Sequence, residues 1–186
     1  MHFLHQLAGF AATAATLASA NSITFVNQDA TQRTVVFTPS AGLQTIESIV
    51  IPGFDEAKVD FPQSWIGNAY SVSEGAPNVP GMLAEVTFQG WNGLTYFDVS
   101  AIVNPTDLQG VKELYPVSQQ NAKEKVAISG CAVFPCPKVY YHPDDIQTVT
   151  STEEDFICTL GNPPNQEVAR QVEVELVPRR FVLGKF

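Results

Sequence analysis

An all-β fold, an antiparallel β-sandwich, is predicted by three features of this 186-residue chain. Short runs rich in Val, Ile, Thr, Phe and Tyr recur between Pro, Gly and Asn punctuation, which is the spacing of a sandwich or barrel. Before the C-terminal tail, no long stretch shows the periodicity of an amphipathic helix. One segment, residues 82–101, reads as a hairpin with one wholly apolar face.

The elements are taken in chain order. Met1 to Ala20 contains no Lys, Arg, Asp or Glu; residues 10–17 are apolar, and the segment ends in Ala18-Ser19-Ala20. That is a signal peptide by pattern, cleaved before Asn21, although only His2, His5 and the amino terminus supply the positive end. The apolar stretch is short, and too rich in Ala and Thr, beside the roughly 20 strongly apolar residues of a membrane span. Residues 21–161 then read as one domain, with residues 162–186 as a C-terminal extension. Candidate strands are 23–27, 34–38, 45–51, 58–61, 69–72, 83–88, 95–101, 126–128 and 139–141. Turn signals separate them: Pro39-Ser40-Ala41-Gly42, Pro52-Gly53, Pro80-Gly81, Asn92-Gly93 and Pro143-Asp144-Asp145. Residues 73–80 and 104–120 read as long loops.

Asn92-Gly93 is the strongest short hairpin signal. A two-residue turn there sets Trp91 against Leu94 and pairs Phe88 with Phe97, Val86 with Val99, and Ala84 with Ala101. The other face pairs Gln89 with Tyr96, Thr87 with Asp98, and Glu85 with Ser100. One face is apolar and the other polar, as a half-buried strand pair requires. Past Gly161, Asn162-Pro163-Pro164-Asn165 is a breaker; residues 171–176 alternate like a strand, and Arg179, Arg180 and Lys185 make the end basic. This tail is expected to dock poorly, because termini fray unless tied down.

Charge and composition narrow the function. The formal net charge of −9 falls wholly on the chain after Ala20, and an acidic protein repels phosphate backbones, so no nucleic-acid partner is expected. No second apolar run is long enough to span a bilayer. Asn104-Pro105-Thr106 has Pro at the position that blocks N-glycosylation. Three cysteines, Cys131, Cys136 and Cys158, are expected to give one disulfide and one thiol in a secreted chain, with the pairing open. A zinc site, the rival reading, would need a fourth ligand beside the three cysteines, and His142 is the one histidine after the signal segment. No metal and no cofactor are expected, and the chain is expected to be a monomer.

The same histidine count excludes two-His nuclease and His-Glu-x-x-His chemistry, and neither a Gly-x-Ser-x-Gly elbow nor a phosphate loop is present. Carboxylates remain. In the register above, Glu85 and Asp98 are diagonal neighbours, roughly 7–8 Å apart. That lies within the separation of about 6.5–9.5 Å between the carboxyls of an inverting glycosidase. The plainer reading is two solvated acids on an exposed sheet face. Asp144 and Asp145 offer further ligands or simply a turn. Tyr96 and Trp91 offer a stacking platform, whereas Trp65 reads as core.

At these residues the chain resembles the thaumatin-like (osmotin-like) proteins, in particular small secreted fungal members with few cysteines. The run from Gly81 to Phe88 is similar to that family's LAEF strand, and Tyr96 to Ile102 to its YDVSLV strand. Ile23 to Asn27 is similar to its opening strand, Trp65 to Tyr70 to its W-x-G-R segment, and Cys136 to Asp145 to its CPxAYSYxxDD segment. The resemblance implies a β-sandwich with an acidic cleft for β-glucan, in which Glu85, Asp98 and one of Asp144 or Asp145 fall on cleft acids. Asn68 stands where the family has Arg, and Val103 where it has Asp. One alignment of the cysteines implies a Cys131–Cys158 bridge. The expected function is a secreted extracellular or cell-wall protein binding β-glucan-type polysaccharide through Glu85, Asp98 and nearby aromatics. The alternatives are a weak β-glucan hydrolase using that carboxyl pair, and a surface or host-interaction protein with a protein partner.

Overall fold

The structure, a computed structural model, describes residues 21–164. The signal segment 1–20, the alternating run 171–176 and the basic Arg179, Arg180 and Lys185 lie outside the described residues. The strands are β1 (Asn21–Asn27), β2 (Arg33–Pro39), β3 (Ile49–Ile51), β4 (Glu56–Phe61), β5 (Ile66–Ser73), β6 (Leu83–Thr87), β7 (Thr95–Ser100), β8 (Val111–Pro116), β9 (Ser129–Gly130), β10 (Val149–Ser151) and β11 (Asp155–Leu160). They form two sheets, ordered β4-β1-β11-β8-β9 and β10-β7-β6-β5-β2-β3. Neighbours are antiparallel except β1 and β11, which run parallel. The antiparallel sandwich read from the sequence is therefore observed.

Alternation explains the packing. Ile23 and Phe25 on β1, Val35 and Phe37 on β2, Val86 on β6, and Phe97 and Val99 on β7 are buried. Thr24, Thr34, Glu85, Thr87, Tyr96 and Asp98 beside them are more exposed, as the two-residue period of a strand demands. Tilted and edge-on aromatic contacts knit the two sheets together, running from Phe25 through Phe37, Phe61, Phe88 and Phe156 to Phe97 with ring centroids 4.9 to 6.1 Å apart. Such geometry adds to the burial of the rings themselves. Trp65 is core, as expected, and its indole N–H donates to the Gln44 carbonyl at 3.0 Å.

Several strands differ from expectation. The run 45–51 pairs only over β3, and residues 126–128 and 139–141 make no strand; Tyr140 forms a single bridge to Ser100. The supposed loop 104–120 contains β8, whose pattern does not alternate because Lys112 is buried beside Val111. Its ammonium lies 4.9 Å from the Phe134 ring centroid and donates to the Leu108 carbonyl. A bulge opposite, between Cys158 and Leu160, breaks the register further. β11 was not expected at all. It is buried from Phe156 to Leu160, and a central strand covered on both faces reads as a continuous apolar run without the alternation that marks a strand. The disulfide joins Cys131 to Cys136. This corrects the Cys131–Cys158 bridge implied by the resemblance, because Cys158 is buried within β11 as a free thiol; burial pushes its pKa up.

Asp107 organises the loops at one end of the sandwich. Its Oδ2 accepts from the Met82 N–H at 2.9 Å, and its Oδ1 from those of Gln109 at 3.0 Å and Gly110 at 2.9 Å. A Cβ on Gly81 or Gly110 would strike the same carboxylate, at 2.0 and 2.2 Å, so glycine is required at both. Asp107→Ala strands backbone donors and is expected to cost about 2–3 kcal/mol in urea unfolding. Asp107→Asn, which keeps one acceptor oxygen, should cost less.

Candidate functional site

The site is built on β6 and β7. Ala84, Val86, Phe97 and Val99 fill the interior, while Glu85, Thr87, Tyr96 and Asp98 face outward. The register differs from the expected one by two residues: Glu85 pairs with Asp98, Val86 with Phe97, and Thr87 with Tyr96. The faces survive because a slip of two preserves the alternation, whereas a slip of one would invert it.

The cause lies in the connection. Asn92 and Gly93 do form the expected two-residue turn, with φ of 57° and 71° and the Leu94 N–H donating to the Trp91 carbonyl at 3.3 Å, but Gln89 and Gly90 are two extra residues on the β6 side between that turn and the ladder. The Phe88 N–H donates to the Trp65 carbonyl at 3.0 Å, extending the β5–β6 pairing by one residue. Gln89 takes a positive φ of 44°, and its side-chain oxygen accepts from the Ser64 N–H at 2.9 Å and the Asn21 amide at 3.2 Å. Its amide nitrogen donates to Asn21 and, at 2.9 Å, to Glu154. This partly buried network draws Gln89 out of the ladder, so the slip arises between β6 and the Asn-Gly turn and not in the turn itself.

The new register makes a ladder of polar residues. Thr38 on β2 pairs with Asn68 on β5, Asn68 with Glu85, and Glu85 with Asp98. Thr148, just before β10, continues the row by donating from its hydroxyl to Asp98 Oδ2 at 3.4 Å. These five residues floor a groove of about 370 Å³ across the outer face of the six-stranded sheet, walled in part by Ile66 and Tyr96.

Glu85 and Asp98 are half-buried and directly opposed. Directly opposed positions lie closer than diagonal ones, with Cβ atoms roughly 4.5–5.5 Å apart, so the diagonal spacing expected from the sequence is corrected. None of the ion pairs among the described residues involves either acid. Burial first, then the neighbouring Glu85 charge and a hydrogen bond with Glu85, push the Asp98 pKa up to about 7, against the opposing effect of the Thr148 hydroxyl.

The other candidates divide. Tyr96 lines the groove, and its hydroxyl donates to the Trp91 carbonyl at 3.4 Å. Trp91 projects from the connecting loop, 76% exposed, and does not line the groove. Asp144 and Asp145 are also outside it. Asp145 serves its own turn: its Oδ2 accepts from the N–H groups of Tyr141 and His142 at 2.8 and 2.9 Å. These bonds hold its pKa below the usual carboxylate value. That turn feeds into Thr148, whose hydroxyl hydrogen-bonds the Tyr140 phenol at 2.7 Å. Thr38, Asn68 and Thr148 were not singled out as site residues from the sequence. The signal that finds them is cross-strand register, which exists only once the strands are paired.

No protein-family model matches the chain. The antigenic protein SchS21 of Stachybotrys chartarum is 51% identical over 140 residues, covering 75% of this chain and 94% of that protein. The crystal structure of the protein elicitor MoHrip2 from Magnaporthe oryzae superposes with a TM-score of 0.58 at 19% identity, covering 76% of this chain and 99% of that one. At that identity the likeness shows a shared fold. These matches overturn the thaumatin-like resemblance. Its most specific segments, the runs beginning at Gly81 and Tyr96, are the two strands of one hairpin, and their alternation is what any half-buried antiparallel pair requires. The extent of the identity with SchS21 decides the family: this chain belongs to that of the antigenic protein SchS21.

Proposed function

We propose that the chain is an extracellular host-interaction protein that contacts another organism's molecules through the outer face of its six-stranded sheet. The observation that carries this is the 51% identity with an antigenic protein over 94% of that protein's length. The elicitor with the same fold is in keeping with it, as are the Cys131–Cys136 disulfide, which suits an oxidising compartment, and the signal-peptide pattern of the first twenty residues. The groove with its two uncompensated carboxylates is the candidate contact surface.

The test applies the secreted chain to plant tissue and measures an oxidative burst, and asks in parallel whether sera raised against SchS21 recognise it. Both responses are expected. The double variant Glu85→Gln with Asp98→Asn, folded by circular dichroism, is expected to lose at least about tenfold in eliciting potency, a loss of roughly 1.4 kcal/mol in contact energy. An unchanged potency removes the groove from this reading. Silence of the wild-type chain in both assays overturns the reading itself.

A second reading keeps the same groove for a polysaccharide, favoured by its floor of carboxylates, amide and hydroxyls beside the Tyr96 ring. Selective co-sedimentation with insoluble β-1,3-glucan, against cellulose and chitin, supports it, and failure to pellet with any polymer removes it. The hydrolase alternative loses the diagonal carboxyl spacing on which it rested.

A further inference from the structure

We propose that the groove is pH-gated: Asp98, opposed to the Glu85 carboxyl, carries a proton that gives the pair a hydrogen-bond donor on the acid side of neutrality and is lost on the alkaline side. This deepens, and rests on, the reading of the groove as the contact surface.

Three features of the geometry carry it. The two carboxyls are cross-strand partners, the arrangement in which like charges repel most strongly across a sheet. Both are half-buried in the floor of a cavity rather than on an open face, so water screens them less. Among the described residues, no cation lines the groove beside them: the lining contains no Lys, Arg or His. From the neighbouring strands, β2 presents Thr38, β5 presents Asn68, and the segment before β10 presents Thr148, all neutral. The other titratable side chains beside the pair are the phenols of Tyr96, on β7, and Tyr140, reached through Thr148. With no cation to share the charge, a proton is the cheapest neutraliser. The position of the Asp98 titration, about 7, agrees with this.

The consequence is a change in what the groove recognises. In the protonated state the pair donates one hydrogen bond and accepts others, which suits a neutral polar ligand. With the proton gone, the pair has acceptors only and a doubled charge, which penalises anions and neutral acceptors placed against it.

Carboxyl-carbon NMR of the full secreted chain, titrated from about pH 4 to 9, tests the gate across the carboxyl range. The Asp98 resonance is expected to titrate near 7, with the Thr87 backbone amide and the Asn68 side-chain amide moving at the same midpoint. Glu85→Gln is expected to weaken proton binding at Asp98 by at least about tenfold, one pH unit. Both carboxyls titrating below about pH 5, or an Asp98 midpoint untouched by Glu85→Gln, would overturn the proposal. If that variant does not fold, the exposed Thr148→Val carries the test. Losing its hydroxyl should raise the Asp98 midpoint, and a midpoint that stays or falls overturns the network. A chain that titrates this way but elicits no host response keeps the gate and loses the functional reading. Elicitation without the titration does the reverse.

Discussion

Replacing Asp98 with Asn is expected to raise the thermal unfolding midpoint at about pH 8 and to leave it nearly unchanged at about pH 3. The sign follows from proton counting. In the folded chain, burial and Glu85 lift the Asp98 pKa from the ordinary carboxylate value of 3.8 to about 7. Between those values the native state binds more protons at this site than the unfolded chain does, so stability falls as pH rises. The contribution is complete at low pH, erodes above the ordinary carboxylate value, and is gone above the folded value. Asn has the shape of the protonated acid and never ionises, so it escapes the erosion. At pH 8 the gain is roughly 2–4 kcal/mol, about 5–12 °C for a domain of this length. Differential scanning fluorimetry across this range, with wild type and variant in parallel, reads it directly. Equal midpoints at pH 8 would mean that water reaches the pair freely and that the repulsion is screened.

Arg33→Ala is expected to cost about 3–5 kcal/mol, the largest single effect foreseen in this molecule. Arg33 is 1% exposed on β2, a burial tolerated only because every face of the guanidinium is answered. Nε donates to Asn27 Oδ1 at 3.2 Å, Nη1 to the hydroxyls of Ser73 at 3.1 Å and Ser71 at 3.4 Å, and Nη2 to Asp29 Oδ2 at 2.7 Å. Asn27 belongs to one sheet and the two serines to the other, so the fork spans the sandwich. Burial on its own would raise the Asp29 pKa. The N–H of Asn162, the Arg33 fork and the N–H of Thr31 outweigh it and hold the value below 3.8. Removing Arg33 leaves that carboxylate without its counter-charge and opens a void under β5. Urea unfolding at neutral pH measures the loss. Adding Asp29→Asn should recover part of it, because the stranded charge goes too, whereas Arg33→Lys should fall between, since an ammonium lacks the planar fork.

The layer architecture was legible because alternation is local. Ile23 and Phe25, or Val86 and Thr87, declare their faces from sequence alone. What escaped depends on partners far along the chain. β11 hides its identity as a strand because both of its faces are covered. β8 hides it because Lys112 is buried against Phe134. The hairpin register was missed by two residues although the turn at residues 92–93 forms, because Gln89 and Gly90 leave the ladder before it, held by the Gln89 network with Asn21, Ser64 and Glu154, which join only in the folded state. The candidate site shows the same division. Glu85, Tyr96 and Asp98 could be placed on one polar face from the hairpin pattern. Their ladder with Thr38, Asn68 and Thr148 needed four strand pairings, and the two-residue slip turned a diagonal pair of acids into an opposed one.

The parallel pairing of β1 with β11 has a temporal consequence. Ser22, in the first described strand, lies beside Asp155, so the five-stranded sheet lacks its centre until the chain has been synthesised past residue 160. Closing so large a loop is entropically costly, and non-local pairing of this kind slows folding. An emerging chain therefore cannot complete its sandwich prematurely. The sheet becomes complete only after β11, the last strand among the described residues, has arrived.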